Sequence, residues 1–91
     1  MNDKTAKFFA AEIDPNIYKI DLHGDINMES AMEKLDRELL KVYNLGLNYC
    51  LIIHGIGEGV LSKKVHESLR TNPIVEGFKL GEDGGSTLVI I

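Results

Sequence analysis

Cysteine is almost absent: Cys50 stands alone, so one chain can form neither an internal disulfide nor a thiolate metal cluster, and a reducing, cytoplasmic setting is expected. Tryptophan is missing altogether and proline occurs only twice. No apolar stretch approaches the roughly 18 residues of a membrane span. The short apolar run at residues 8–11 is broken by Glu12 before it could act as a secretion signal, so no membrane association is expected. Positive charge is also scarce, with a net charge of −4 over 91 residues. That balance excludes a general attraction of the whole surface to nucleic acid. The charge is uneven, however. Residues 60–80 carry Lys63, Lys64, Arg70 and Lys79 against Glu67 and Glu76, a net +2, which leaves −6 elsewhere. Any phosphate contact is therefore expected from this segment.

What is present is ordinary for one globular unit. Hydrophobic residues make up 44% and charged residues 26% of the chain, and a chain of this length buries roughly 60 to 65% of its unfolded surface. Residues 1–16 read as an extension or linker holding a short helix at 4–13, with Asp3 as its cap and Phe8 and Phe9 in need of a covering surface. Residues 17–22 alternate as a first strand. Asn27 is an N-cap for a helix whose buried stripe is Ala31, Leu35, Leu39 and Val42, with Lys34 facing outward. Gly46 ends that helix. Residues 47–53 form a nearly apolar second strand, as expected of a central strand in a parallel pair. A second helix spans 60–72, with Val60, Leu61, Val65 and Leu69 buried and His66 solvated, and Pro73 enforces its end. Two further strands, 75–80 and 87–91, flank a turn-rich loop. The expected fold is α/β: a two-layer sandwich of βαβαββ order with a four-stranded mixed sheet over residues 17–91.

The informative stretch is Ile52-Ile53-His54-Gly55-Ile56-Gly57-Glu58-Gly59. A strand, a glycine-rich turn and a helix start make an anion cradle, because glycine reaches φ > 0 and lets a ligand approach the backbone, while the first helical N–H groups favour negative charge. In parallel sheets ligands gather at the carboxyl ends of strands, and both strands here end in His-Gly, at His23-Gly24 and His54-Gly55. Asp21, His23 and His54 are thus expected on one shared, solvent-reachable rim. Imidazole and carboxylate can there exchange protons or orient water near a phosphodiester. Glu58 is either a helix-start carboxylate that complements the dipole or a third acidic group over the site, Lys63 and Lys64 either grip a phosphate backbone or form the wet face of the helix, and Cys50 reads as a small buried apolar residue.

Ile20-Asp21-Leu22-His23-Gly24, followed by an amphipathic helix and then Ile53-His54-Gly55-Ile56-Gly57-Glu58-Gly59, resembles the small MutS-related (Smr) domain over residues 17–91. The resemblance implies a fold like the C-terminal domain of translation initiation factor 3 and binding of DNA or RNA, often with endonuclease activity. It also implies life within a larger protein or alone, and for some members work at the ribosome. The catalytic role carries over to Asp21, His23 and His54, and nucleic-acid binding to Gly55, Gly57 and Gly59. Many members have a basic residue in the glycine loop where this chain has Ile56 and Glu58, so a non-catalytic adaptor for RNA or the ribosome is the alternative reading. No cofactor is certain; a divalent ion, magnesium or manganese, is left open.

Overall fold

In a computed structural model the described residues are 3–24, 27–57 and 59–91. The order is α1 (Asp3–Ile13), β1 (Lys19–Asp21), α2 (Met28–Asn44), β2 (Tyr49–Ile53), α3 (Val60–Thr71), β3 (Gly77–Leu80) and β4 (Ser86–Ile90). The sheet runs β1-β2-β4-β3, with β1 and β2 parallel and β4 antiparallel to both of its neighbours. Residues 19–90 thus have the βαβαββ order and mixed sheet that the sequence predicts.

Local chemistry explains the boundaries. Asn27 caps α2, its side chain accepting from the Ser30 N–H at 2.8 Å. At the other end Gly46, with φ of 75°, closes the helix: its N–H donates to Tyr43 and the Leu47 N–H reaches back to Val42. Leu47 is occupied by that cap, so β2 starts at Tyr49 and not at 47. The first strand stops at Asp21 because the N–H groups of Leu22 and His23 both turn onto the Ile53 carbonyl, at 2.7 and 3.2 Å.

The core lies between the sheet and the pair α2 and α3. Ile20, Leu22, Cys50, Ile52 and Val89 from the sheet meet Ala31, Leu35, Leu39, Val42, Val65 and Leu69 from the helices, each large side chain contributing roughly 1.5 to 3 kcal/mol. Val60, the first residue of α3, departs from the expected stripe and is 61% exposed. The opposite sheet face is not open. Helix α1 packs across β2 and β4, fastened by Lys7 to Glu76 at 2.9 Å, by Glu12 to Lys79, and by Tyr49 Oη donating to Asp14 at 2.8 Å. Phe8 finds partial cover there beneath Lys79, while Phe9 stays 57% exposed. No helix among the described residues is long and apolar enough to cross a membrane.

Candidate nucleic-acid interface

The parallel register pairs Asp21 with Ile53, so the two strands end side by side and their following turns form one rim. At the first turn the Asp21 carboxylate accepts the His23 backbone N–H at 2.9 Å, leaving both side chains exposed. At the second, the N–H groups of His54 and Gly55 both donate to the Gly85 carbonyl, at 3.0 and 2.9 Å. The His23 ring lies directly over Gly55: a Cβ there would stand 2.6 Å from His23 Cδ2. With Gly55 at φ of 81° as well, no other residue fits that position without moving the imidazole.

Gly57 and Gly59 are also left-handed, and Gly59 is the N-cap of α3. Glycine has no side chain with which to cap. The first bond of that helix runs from Lys63 N–H to the Gly59 carbonyl, so the N–H groups before it have no acceptor within the helix. Helix α2 has a side-chain cap and α3 has none, and an uncapped N-terminus of this kind is suited to an anion. Lys63 and Lys64 are exposed on the same helix. Lys64 stands 3.9 Å from Glu67, and Lys63 has no ion pair among the described residues. Glu58 lies outside the described residues.

His54 does not share the open rim with His23. On β2 the residues facing α2 and α3 are Cys50 and Ile52, and His54 continues that alternation; Asp21 and Ile53 occupy the other face. His54 is accordingly only 4% exposed. Its Nδ1 lies 3.0 Å from the Gly55 carbonyl and its Nε2 lies 2.9 Å from Thr87 Oγ1. Nor is His66 simply solvated. Its Nε2 meets the same Thr87 hydroxyl at 2.8 Å, and its ring packs against Phe78 with centroids 5.0 Å apart. Burial lowers its pKa from the ordinary 6.5, helped by the neighbouring charges of His54 and Arg70. Cys50 is buried as expected, and burial pushes its thiol up to about 12, which removes it from nucleophilic chemistry. Among the described residues no three His, Cys, Asp or Glu side chains gather to hold a metal ion.

Beside the rim a cleft of about 200 Å³ opens between the starts of the two helices, lined by Leu22, Gly24, Asn27, Met28, Ala31 and Leu61. A hollow of about 280 Å³ around Tyr18 and Tyr49 lies near the start of β2, at the other end of the strands, away from both glycine turns.

The model of the Smr domain matches residues 20–91. This chain belongs to the Smr domain family. It is 44% identical over 73 residues to an endonuclease MutS2 of Halothermothrix orenii, covering 78% of this chain and 9% of that protein. It is 36% identical over 75 residues to the endonuclease MutS2 of Clostridium tetani, covering 80% and 9%. The crystal structure of the Smr domain of Thermus thermophilus MutS2 matches with a TM-score of 0.76 and 31% identity, over 81% of this chain and 96% of that one. The chain thus spans about 9% of the length of these curated MutS2 relatives.

Three residues of this Smr domain escape a reading of the sequence. Lys34 is half-buried, its Nζ donating to the Asp21 carbonyl at 2.6 Å, which brings a cation to the rim. Helical periodicity assigned it to the outer face; its long side chain folds back over the strand end. Thr87 and His66 complete the contacts of His54. Thr87 is placed by strand pairing, directly opposite Ile52 on the buried face, which no pattern within β4 announces. His66 follows Val65 and precedes Leu69 by three, at the edge of the buried stripe.

Proposed function

We propose that this Smr domain binds the sugar-phosphate backbone of DNA or RNA at the rim formed by Asp21, His23, the Gly55–Gly57–Gly59 loop and the start of α3. It does so as a module of a larger cytoplasmic protein. One observation carries the reading: an uncapped helix N-terminus, opened by left-handed glycines, stands beside an exposed imidazole. The N–H groups take the non-bridging phosphate oxygens, where negative charge grows during hydrolysis, and Lys34, Lys63 and Lys64 add longer-range attraction. The MutS2 relatives are endonucleases by name, which supports extending the reading to cleavage. Water oxygen then attacks phosphorus as His23 takes its proton, the phosphorus–oxygen ester bond breaks, and the departing oxygen takes a proton from solvent. The Asp21 carboxylate holds the His23 backbone in place. Magnesium or manganese would find one carboxylate and one imidazole here, those of Asp21 and His23.

The test is nicking of supercoiled plasmid and cleavage of structured RNA with each divalent ion. Activity lost in His23→Ala with binding retained is the expected result. No affinity for either polymer at low salt would discard the whole reading.

A second reading, a non-catalytic adaptor for RNA or the ribosome, draws on the engagement of both His54 nitrogens and on the exposed, uncharged Ile56 in the loop. Cosedimentation with ribosomes that is indifferent to His23→Ala would favour it.

A further inference from the structure

Behind the rim, four groups make one continuous chain that phosphate binding alone does not use: the Gly55 carbonyl, His54, Thr87 and His66, linked at 3.0, 2.9 and 2.8 Å. The carbonyl can only accept, so His54 Nδ1 carries a hydrogen. In the neutral ring Nε2 is then an acceptor, and the Thr87 hydroxyl donates to it. The Thr87 oxygen in turn accepts from His66 Nε2–H. Every donor faces an acceptor, and the Gly55 carbonyl alone dictates the tautomer of the neutral His54, from which the role of His66 Nε2 follows. Thr87 is fully buried, so no water competes for these bonds.

The consequence falls on the loop. A peptide bond is planar, and none among the described residues is cis. With the Gly55 carbonyl turned in toward His54, the Ile56 N–H of the same peptide must point the opposite way. It donates to no described group. The Gly55 N–H is pinned separately by Gly85 at 2.9 Å. Were the peptide free to turn over, a carbonyl oxygen would face the ligand where the N–H now does and would repel a phosphate.

We propose that His54 is an orienting clamp and not an acid or base, and that Thr87 and His66 are positioning residues acting through it to aim the Ile56 N–H at a phosphate oxygen. This deepens the nucleic-acid reading and rests on it. The decisive measurement is a multiple-bond 1H–15N spectrum of the imidazoles in the full chain, with oligonucleotide binding followed by anisotropy and by the Ile56 amide signal. In the wild type, His54 should be the Nδ1–H tautomer and His66 the Nε2–H tautomer, and the Ile56 amide should shift on binding. Thr87→Val should scramble the His54 tautomer and weaken binding about tenfold, the worth of one lost phosphate hydrogen bond. Thr87→Ser should restore both. A wild-type His54 in the Nε2–H form overturns the clamp, and that result does not depend on how Thr87→Val folds. An Ile56 amide that ignores bound oligonucleotide, or a folded Thr87→Val that binds normally, overturns the aiming of the N–H. If the wild type binds no nucleic acid at low salt, the nucleic-acid reading and the target of Ile56 fall together, while the His54 tautomer is judged by its own spectrum.

Discussion

His23 and His54 each follow a strand, and each precedes a glycine with strongly positive φ, 90° at Gly24 and 81° at Gly55. Yet His23 is exposed with its ring laid over Gly55, while His54 is buried with both nitrogens engaged. Two physical differences separate them. Strand β1 is at the edge of the sheet, with one neighbour, so a side chain past its end meets water. Strand β2 is central, with β4 beyond it, and the ring of His66 on α3 stands against His54. The second difference is parity. Asp21 pairs with Ile53, so His23 shares the face of Asp21 and His54 shares that of Ile52. A shift of one residue in a strand exchanges inside for outside, and the same dipeptide carries a solvent-facing imidazole in one turn and a buried one in the other.

That contrast is open to direct attack. The largest effect is expected from His54→Ala, which leaves a buried gap and strips the buried Thr87 hydroxyl of a partner; a loss of about 2 to 4 kcal/mol in urea unfolding is expected. His23→Ala should stay within about 0.5 kcal/mol while abolishing cleavage. Equal stability losses would break the comparison.

Next come the glycines. Gly24→Ala and Gly55→Ala both force a left-handed alanine, worth about 1 to 2 kcal/mol. At Gly24 an added methyl meets nothing within 4 Å, whereas at Gly55 it strikes the His23 ring. Gly55→Ala should therefore cost more in thermal unfolding, and it alone should displace the His23 ring signals in an NMR spectrum.

A smaller effect concerns pH. Burial holds folded His66 below its ordinary 6.5, so the unfolded chain takes up the proton first on acidification. The stability contribution is complete above about 6.5 and drains away as pH falls below it. Unfolding midpoints measured across that range should decline, and His66→Gln should flatten the decline; an unchanged profile would return His66 to the surface.

The smallest effect sharpens the comparison from outside. Lys63→Ala should weaken oligonucleotide binding about two- to threefold and reduce the salt slope by roughly one. Lys64→Ala should do less, because Glu67 already stands near it.

Much of this molecule is written in short-range pattern. Asn27, Gly46 and Pro73 punctuate the helices where the local chain requires a cap, a left-handed residue or a stop. The apolar run of β2 marks a central strand, and the two His-Gly dipeptides mark the rim. Such features depend on neighbours within a few residues, whose geometry the backbone dictates wherever the chain goes. The burial of His54, the hydroxyl of Thr87 between two imidazoles, the inward bend of Lys34 and the surface that Phe8 covers are of another kind. Each depends on which strand lies beside which, in what register, and which helix closes above. Pairing and packing bring together residues far apart in the chain, 33 positions at His54 and Thr87 and 69 at Lys7 and Glu76, and periodicity within a single element carries no information about that.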